Sequence, residues 1–146
     1  MQNKNIIKIA LASDHAGFKF KNALKKRLEQ RDVAVEDFGC SSVARCDYPD
    51  YGIPAVKSVA KGRNKYAILI CGNGIGMSIL ANKIPGILAA VVYSKTSARD
   101  TRAHHDSDVL CLGAREFSTR ELFSFIDTWL APKLTFAGGR DRRRIA

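Results

Sequence analysis

The sequence has no apolar run close to the ~18 residues that a membrane-spanning helix requires. Its longest, Gly86 to Tyr93, is the size of a strand, which excludes an integral helical membrane protein. Cysteine is sparse as well: Cys40, Cys46, Cys71 and Cys111 are too scattered for a disulfide framework. Neither a CxxC pair nor a paired-histidine spacing accompanies them, so no metal is expected. Proline occurs only four times against eleven glycines, and with 46% hydrophobic and 26% charged residues this excludes a disordered or fibrous chain. The opening apolar stretch leads directly into Ser13, Asp14 and His15, with no small-residue cleavage site, which argues against export and for free thiols in the cytoplasm. What remains is a soluble globular protein of 146 residues, the length of one ordinary domain, able to bury roughly 70% of its unfolded surface.

Acidic residues are the other shortage, 14 against 24 Lys and Arg, for a formal charge of +10. Such a balance suits a polyanion, yet the position of the charges matters more than their sum. Lys19, Lys21, Lys25, Lys26, Arg27 and Arg31 fall on an amphipathic helix whose buried stripe is Phe20, Leu24 and Leu28, and they read as its solvated face. Arg140, Arg142, Arg143 and Arg144 crowd a glycine-led tail, residues 138–146. There Arg140 and Arg144 stand one helical turn apart, able to grip a phosphate together or simply to form a solvated basic end.

Along the chain, apolar runs alternate with helical patterns. Strands are expected at residues 6–12, 33–38, 66–71, from the Pro85-Gly86 break to 93, and at 109–112. Helices are expected at about 17–31, 51–60, 75–83, 96–103 and 118–130. Residues 40–50 read as a polar loop, Ser118 with Glu121 as a capping box, and Pro132 as a helix stop. Strict alternation implies an α/β fold with a five-stranded parallel sheet covered on both faces, in one domain spanning 1–146. In such sheets ligands bind beyond the carboxyl ends of the strands, where Asp14-His15, Cys71-Gly72 and Gly113-Ala114-Arg115 all fall.

Cys71-Gly-Asn-Gly-Ile-Gly76 joins a strand to a helix, so its backbone N–H groups can meet an anion with a helix N-terminus behind them. It is neither a Walker loop nor a GxGxxG dinucleotide fingerprint. Cys71 stands where thiols become reactive thiolates, although a buried apolar cysteine is an equal reading there and the better one for Cys40, Cys46 and Cys111. Asp14 can be a catalytic carboxylate or a cap for the following helix, and His104-His105 a pair of reactive imidazoles or a helix end.

Together these segments resemble the type B ribose-5-phosphate isomerases and the related galactose-6-phosphate isomerase subunits. The resemblance covers almost the whole chain. Its marks are Ser13-Asp14-His15-Ala16-Gly17, Asp47-Tyr48-Pro49, Ile70 to Gly76, Ala81-Asn82-Lys83, His104 with Asp106, Leu112-Gly113-Ala114-Arg115, and Gly138-Gly139-Arg140 with Arg144. It implies a Rossmann-like three-layer α/β/α sandwich that forms a homodimer, or a dimer of dimers, with interfacial active sites. It further implies interconversion of D-ribose 5-phosphate and D-ribulose 5-phosphate through a cis-enediol, without metal or organic cofactor, in the pentose phosphate pathway. By the same resemblance His104 opens the sugar ring with Asp14 at the anomeric hydroxyl, and Cys71 moves the proton between C2 and C1. The 72–76 turn, including Asn73, holds the enediolate. His15, Arg115, Arg140 and Arg144 hold the phosphate, with further substrate contacts from Tyr48, Gly72, Gly74, Gly76, Ser78 and His105.

Three positions depart from the family pattern. Ile75 stands where members without the cysteine carry a glutamate base, which marks the cysteine subtype; His105 replaces a common Asn; and Asn73 replaces a common Thr. An amide donates to an enediolate but cannot relay a proton as a hydroxyl does. A six-carbon substrate, allose 6-phosphate or galactose 6-phosphate, is the alternative within the family. A nucleic-acid-binding module is the distant one, disfavoured because no aromatic residues interleave with the arginines to stack bases.

Overall fold

The computed structural model describes residues 6–131, 136 and 138–146. The elements are β1 (Lys8–Ser13), α1 (Phe18–Glu29), β2 (Ala34–Asp37), α2 (Tyr48–Ala60), β3 (Tyr66–Cys71), α3 (Ile75–Asn82), β4 (Ala89–Val91), α4 (Lys95–Ala103), β5 (Val109–Gly113), α5 (Thr119–Trp129) and α6 (Arg140–Ile145). All strand pairs are parallel, in the order β2-β1-β3-β5-β4. Strand alternation sends Ile9, Leu11, Ile68, Ile70, Leu110 and Leu112 into a core shared with α1 and α5. The intervening Ala10, Ala12, Ala67, Leu69, Val109 and Cys111 face α2 and α3. A sheet buried on both sides reads as near-continuous apolar strands, which is what Tyr66 to Cys71 and Val109 to Gly113 supply. The expected three-layer α/β/α sandwich is therefore the fold, and among the described residues no helix is long and apolar enough to cross a membrane.

The differences from expectation have local causes. Helix α2 begins at Tyr48, inside the segment read as loop, because Pro49 is pre-set for a first helical turn. Strand β4 is reduced to three residues. It is an edge strand, and the Asn82 side chain bonds both Ala89 N–H (3.0 Å) and Ala89 C=O (2.8 Å). The α1 face is not wholly solvated: Lys21 is buried and its ammonium reaches both oxygens of Asp37 at 2.8 and 2.7 Å. The basic tail forms the short helix α6, which sets Arg140 and Arg144 one turn apart. The Ser118–Glu121 capping box is present as expected, and so is a second one at Ser94–Ser97. The expected stop at Pro132 lies outside the described residues.

Candidate active site

The sheet register brings Ser13 beside Ile70 and Cys71 beside Gly113, so the carboxyl ends of the three central strands finish level. The strand order reverses between β1 and β3, and the crevice that opens there is where α/β sheets bind ligands. Its volume is about 320 Å³, and Asp14, Tyr48, Cys71, Gly72, Asn73, Gly76, Arg115 and Glu116 line it.

Each side chain is held by backbone. Asp14 is buried, and its Oδ1 accepts the N–H groups of Ala16 (2.9 Å) and Gly17 (3.2 Å). It thus closes the turn that leads into α1, whose N-cap is Gly17 with no side-chain cap bond, while its Oδ2 makes no hydrogen bond among the described residues. Gly17 permits this close turn, because a Cβ there would lie 2.8 Å from the Ile70 carbonyl oxygen. Cys71 Sγ, nearly buried, receives the Gly74 N–H at 3.2 Å. That bond requires the left-handed backbone of Gly74, φ 83°. The Asn73 Oδ1 accepts the Ile75 N–H at 3.0 Å, an Asx turn that closes the loop. The N–H groups of Asn73 and Gly76 have no partner among the described residues and stand at the amino end of α3. Ala114 N–H and Arg115 N–H donate to Cys71 C=O (2.9 Å) and Gly72 C=O (3.0 Å), pinning the loop that carries the Arg115 guanidinium to the loop that follows the thiol.

Other predicted residues stand nearby. His15 Nδ1 accepts the Cys46 N–H at 3.3 Å, so its neutral ring carries the proton on Nε2. Ser78 turns its hydroxyl back to the Ile75 carbonyl at 3.1 Å and is not part of the crevice lining. Burial first, and then the neighbouring Cys40 thiol, pushes the Cys46 thiol up. Burial does the same, more strongly, to Cys111. Both therefore favour the neutral thiol, as inert cysteines do.

A second group lies at the opposite end of the sheet. His104 is the C-cap of α4, a nine-residue helix that carries the chain about 13 Å back from the carboxyl side. There His104 Nδ1 meets Asp141 Oδ2 at 2.9 Å, and the other carboxylate oxygen faces Arg140 Nε (3.4 Å) and Arg144 (3.6 Å). His105 and Arg144 line a separate cavity of about 370 Å³ beside Leu88, Ala89 and Ser107, at the amino ends of β4 and β5. Within one chain, then, the predicted residues divide into two clusters. Two participants escaped sequence reasoning. Glu116 of the crevice was signalled only by its place next to Arg115, and Asp141 only as an acidic residue inside a basic run.

A parallel three-layer fold with a thiol, a carboxylate, a guanidinium and free loop N–H groups at its switch point defines an α/β enzyme for a small anionic substrate. Residues 9–146 match the Ribose/Galactose Isomerase family. The chain is 40% identical over 138 residues to ribose-5-phosphate isomerase B of Escherichia coli, covering 94% of this chain and 91% of that one. It superposes on ribose-5-phosphate isomerase B of Clostridium thermocellum with a TM-score of 0.92, at 40% identity and 95% and 93% coverage. It also superposes on the Mycoplasma genitalium enzyme with bound ribulose-5-phosphate, with a TM-score of 0.89, 38% identity and 95% and 91% coverage. The chain belongs to the ribose/galactose isomerase family.

Proposed function

We propose that the chain, acting as one isomerase domain in the cytoplasm, interconverts D-ribose 5-phosphate and D-ribulose 5-phosphate, as its relatives' names indicate for them. The observation that carries the reading is the placement of Cys71, with a backbone donor on its sulfur and Asp14 and Arg115 across the same crevice. Asp14 Oδ2 takes the anomeric hydroxyl proton as His104 protonates the ring oxygen, opening the sugar. Cys71, as thiolate, removes the C2 proton and returns it to C1, while the O2 hydroxyl proton passes to O1, so that the aldehyde becomes a hydroxyl and C2 a carbonyl. The negative charge on the enediolate is met by the unpaired N–H groups of Asn73 and Gly76, donors of a kind worth about 3–4 kcal/mol each when removed from an oxyanion hole. Asn73 can donate its amide to the same oxygens. His15 and Arg115, with the partner's Arg140 and Arg144, bind the phosphate, and Tyr48, Gly72 and Gly74, with the partner's His105, border the sugar; Ser78, outside the crevice lining, is left without a substrate contact. No step of this reaction calls for a metal.

Because His104 and Cys71 lie at opposite ends of one chain's sheet, the complete site uses Cys71 from one protomer and the partner's His104, in a homodimer or dimer of dimers. The test is interconversion of the two pentose phosphates in EDTA, with allose 6-phosphate as competitor. Wild type is expected to turn over the pentose, and Cys71→Ala to lose at least about 10³-fold in kcat with an unchanged fold, as removal of the proton-transferring group should. Full activity in Cys71→Ala removes the thiol from the mechanism; a wild type active only on the hexose changes the substrate.

A further inference from the structure

The Asp141 carboxylate is divided between two jobs. Oδ2 faces His104 Nδ1 at 2.9 Å, and Oδ1 faces Arg140 and Arg144. Asp141 is itself buried, whereas the His104 side chain is about half exposed and its Nε2 makes no hydrogen bond among the described residues. An ionised carboxylate only accepts hydrogen bonds, so the nitrogen it faces must carry the proton. That leaves Nε2, the outward nitrogen, as the one that exchanges a proton with substrate.

We propose that Asp141 is a positioning residue: its carboxylate holds the proton on His104 Nδ1, directs Nε2 to the sugar ring oxygen, and joins this histidine to Arg140 and Arg144 in a preassembled half-site. The inference rests on the isomerase reading above and adds to it a residue that the reading did not contain. In ring opening Nε2–H gives its proton to the ring oxygen as the C1–O bond breaks, leaving the neutral ring with its proton on Nδ1. On closure Nε2 takes the proton back. Through the cycle Nδ1–H stays on Asp141, so the ring neither flips nor changes tautomer. Among the described residues, the charged groups that pair with Asp141 besides His104 are Arg140 and Arg144, both on Oδ1, which leaves Oδ2 free to accept from the histidine.

The tautomer can be read without substrate. With only three histidines in the chain, ring 15N shifts of His104, assigned by its loss in His104→Gln, separate Nδ1–H from Nε2–H in the neutral ring. Wild type is expected to show Nδ1–H. Asp141→Asn, whose amide donates to Nδ1, and Asp141→Ala are expected to move the ring to Nε2–H and lower kcat about 10- to 100-fold. Asp141→Glu is expected to restore both in part. Arg144→Ala raises KM for the phosphorylated sugar and leaves the tautomer alone. A wild-type ring in the Nε2–H form, or Asp141→Asn with tautomer and kcat unchanged, overturns the proposal even if the protein is an isomerase. An Nδ1–H ring that shifts as expected in a protein inactive on the pentose phosphates upholds the positioning and defeats only the reaction assigned to it.

Discussion

At the scale of the residue, steric exclusion accounts for much of the crevice. A Cβ on Gly76 would lie 2.6 Å from Tyr48 Cζ, and one on Gly113 would lie 2.9 Å from the Asn73 backbone. Tyr48 can therefore rest on the first turn of α3, and the Asn73 turn on the end of β5, only because both positions lack a side chain. Gly76→Ala is expected to lift the Tyr48 ring into the crevice and to cost about 1–3 kcal/mol of stability through overpacking. KM should rise more than kcat falls, because the displaced ring obstructs binding without touching the thiol. Denaturant unfolding and steady-state kinetics on one preparation check both, and an unchanged KM would show that Tyr48 does not border the substrate. The glycines, Cys71 and Asp14 were legible in the sequence because their signals are local, a turn next to a strand end. Asp141 and Lys21 were not, because their meaning lies in partners 37 and 16 residues away.

At the scale of the element, the same distinction holds. Strands β3 and β5 were readable because both their faces are buried and their apolar runs are unbroken. The short β4 was not, since the apolar run from Gly86 to Tyr93 outlasts the pairing available at a sheet edge. Helix α6 had no apolar stripe to announce it. Six residues are too few to be helical alone, and its contact with α4 runs through the Asp141–His104 pair. The His104 hydrogen bond first, and then the charge of Arg140, hold the Asp141 carboxyl below the ordinary carboxylate value. A depressed carboxylate stabilises the folded arrangement fully above its unfolded value, about pH 4, and that contribution disappears as pH falls through the lower, folded value. Amide exchange in residues 140–145 is thus expected to stay slow down to about pH 4 and to accelerate below it, before the central strands open. In Asp141→Asn the segment should exchange fast at all pH values. Equal acid sensitivity in both proteins would show that α6 is held by something other than this carboxylate.

At the scale of the whole molecule, the fold separates what the proposed chemistry combines. Parallel strands put every strand-end loop that follows β1, β3 and β5 on one side, and α4 returns the chain to the other, so no local adjustment brings His104 to Cys71. The sequence alone allowed this much, since the helix expected at 96–103, following a strand, has only one direction in which to run. It could not say which surface closes the gap, because in the proposed dimer that depends on how two copies meet. The two-fold dimer proposed above would have two sites, each built from Cys71 of one protomer and the partner's His104. Cys71→Ala and His104→Asn homodimers then have two broken sites each. A mixed dimer has one site with both defects and one with neither. Unfolding the two inactive variants together and refolding them at equal concentration should therefore restore about one quarter of wild-type activity per site, since half of randomly paired dimers are mixed and each carries one intact site. Sites contained within single chains would give no recovery at all, because every Cys71→Ala chain would keep its own defective crevice and every His104→Asn chain its own missing acid.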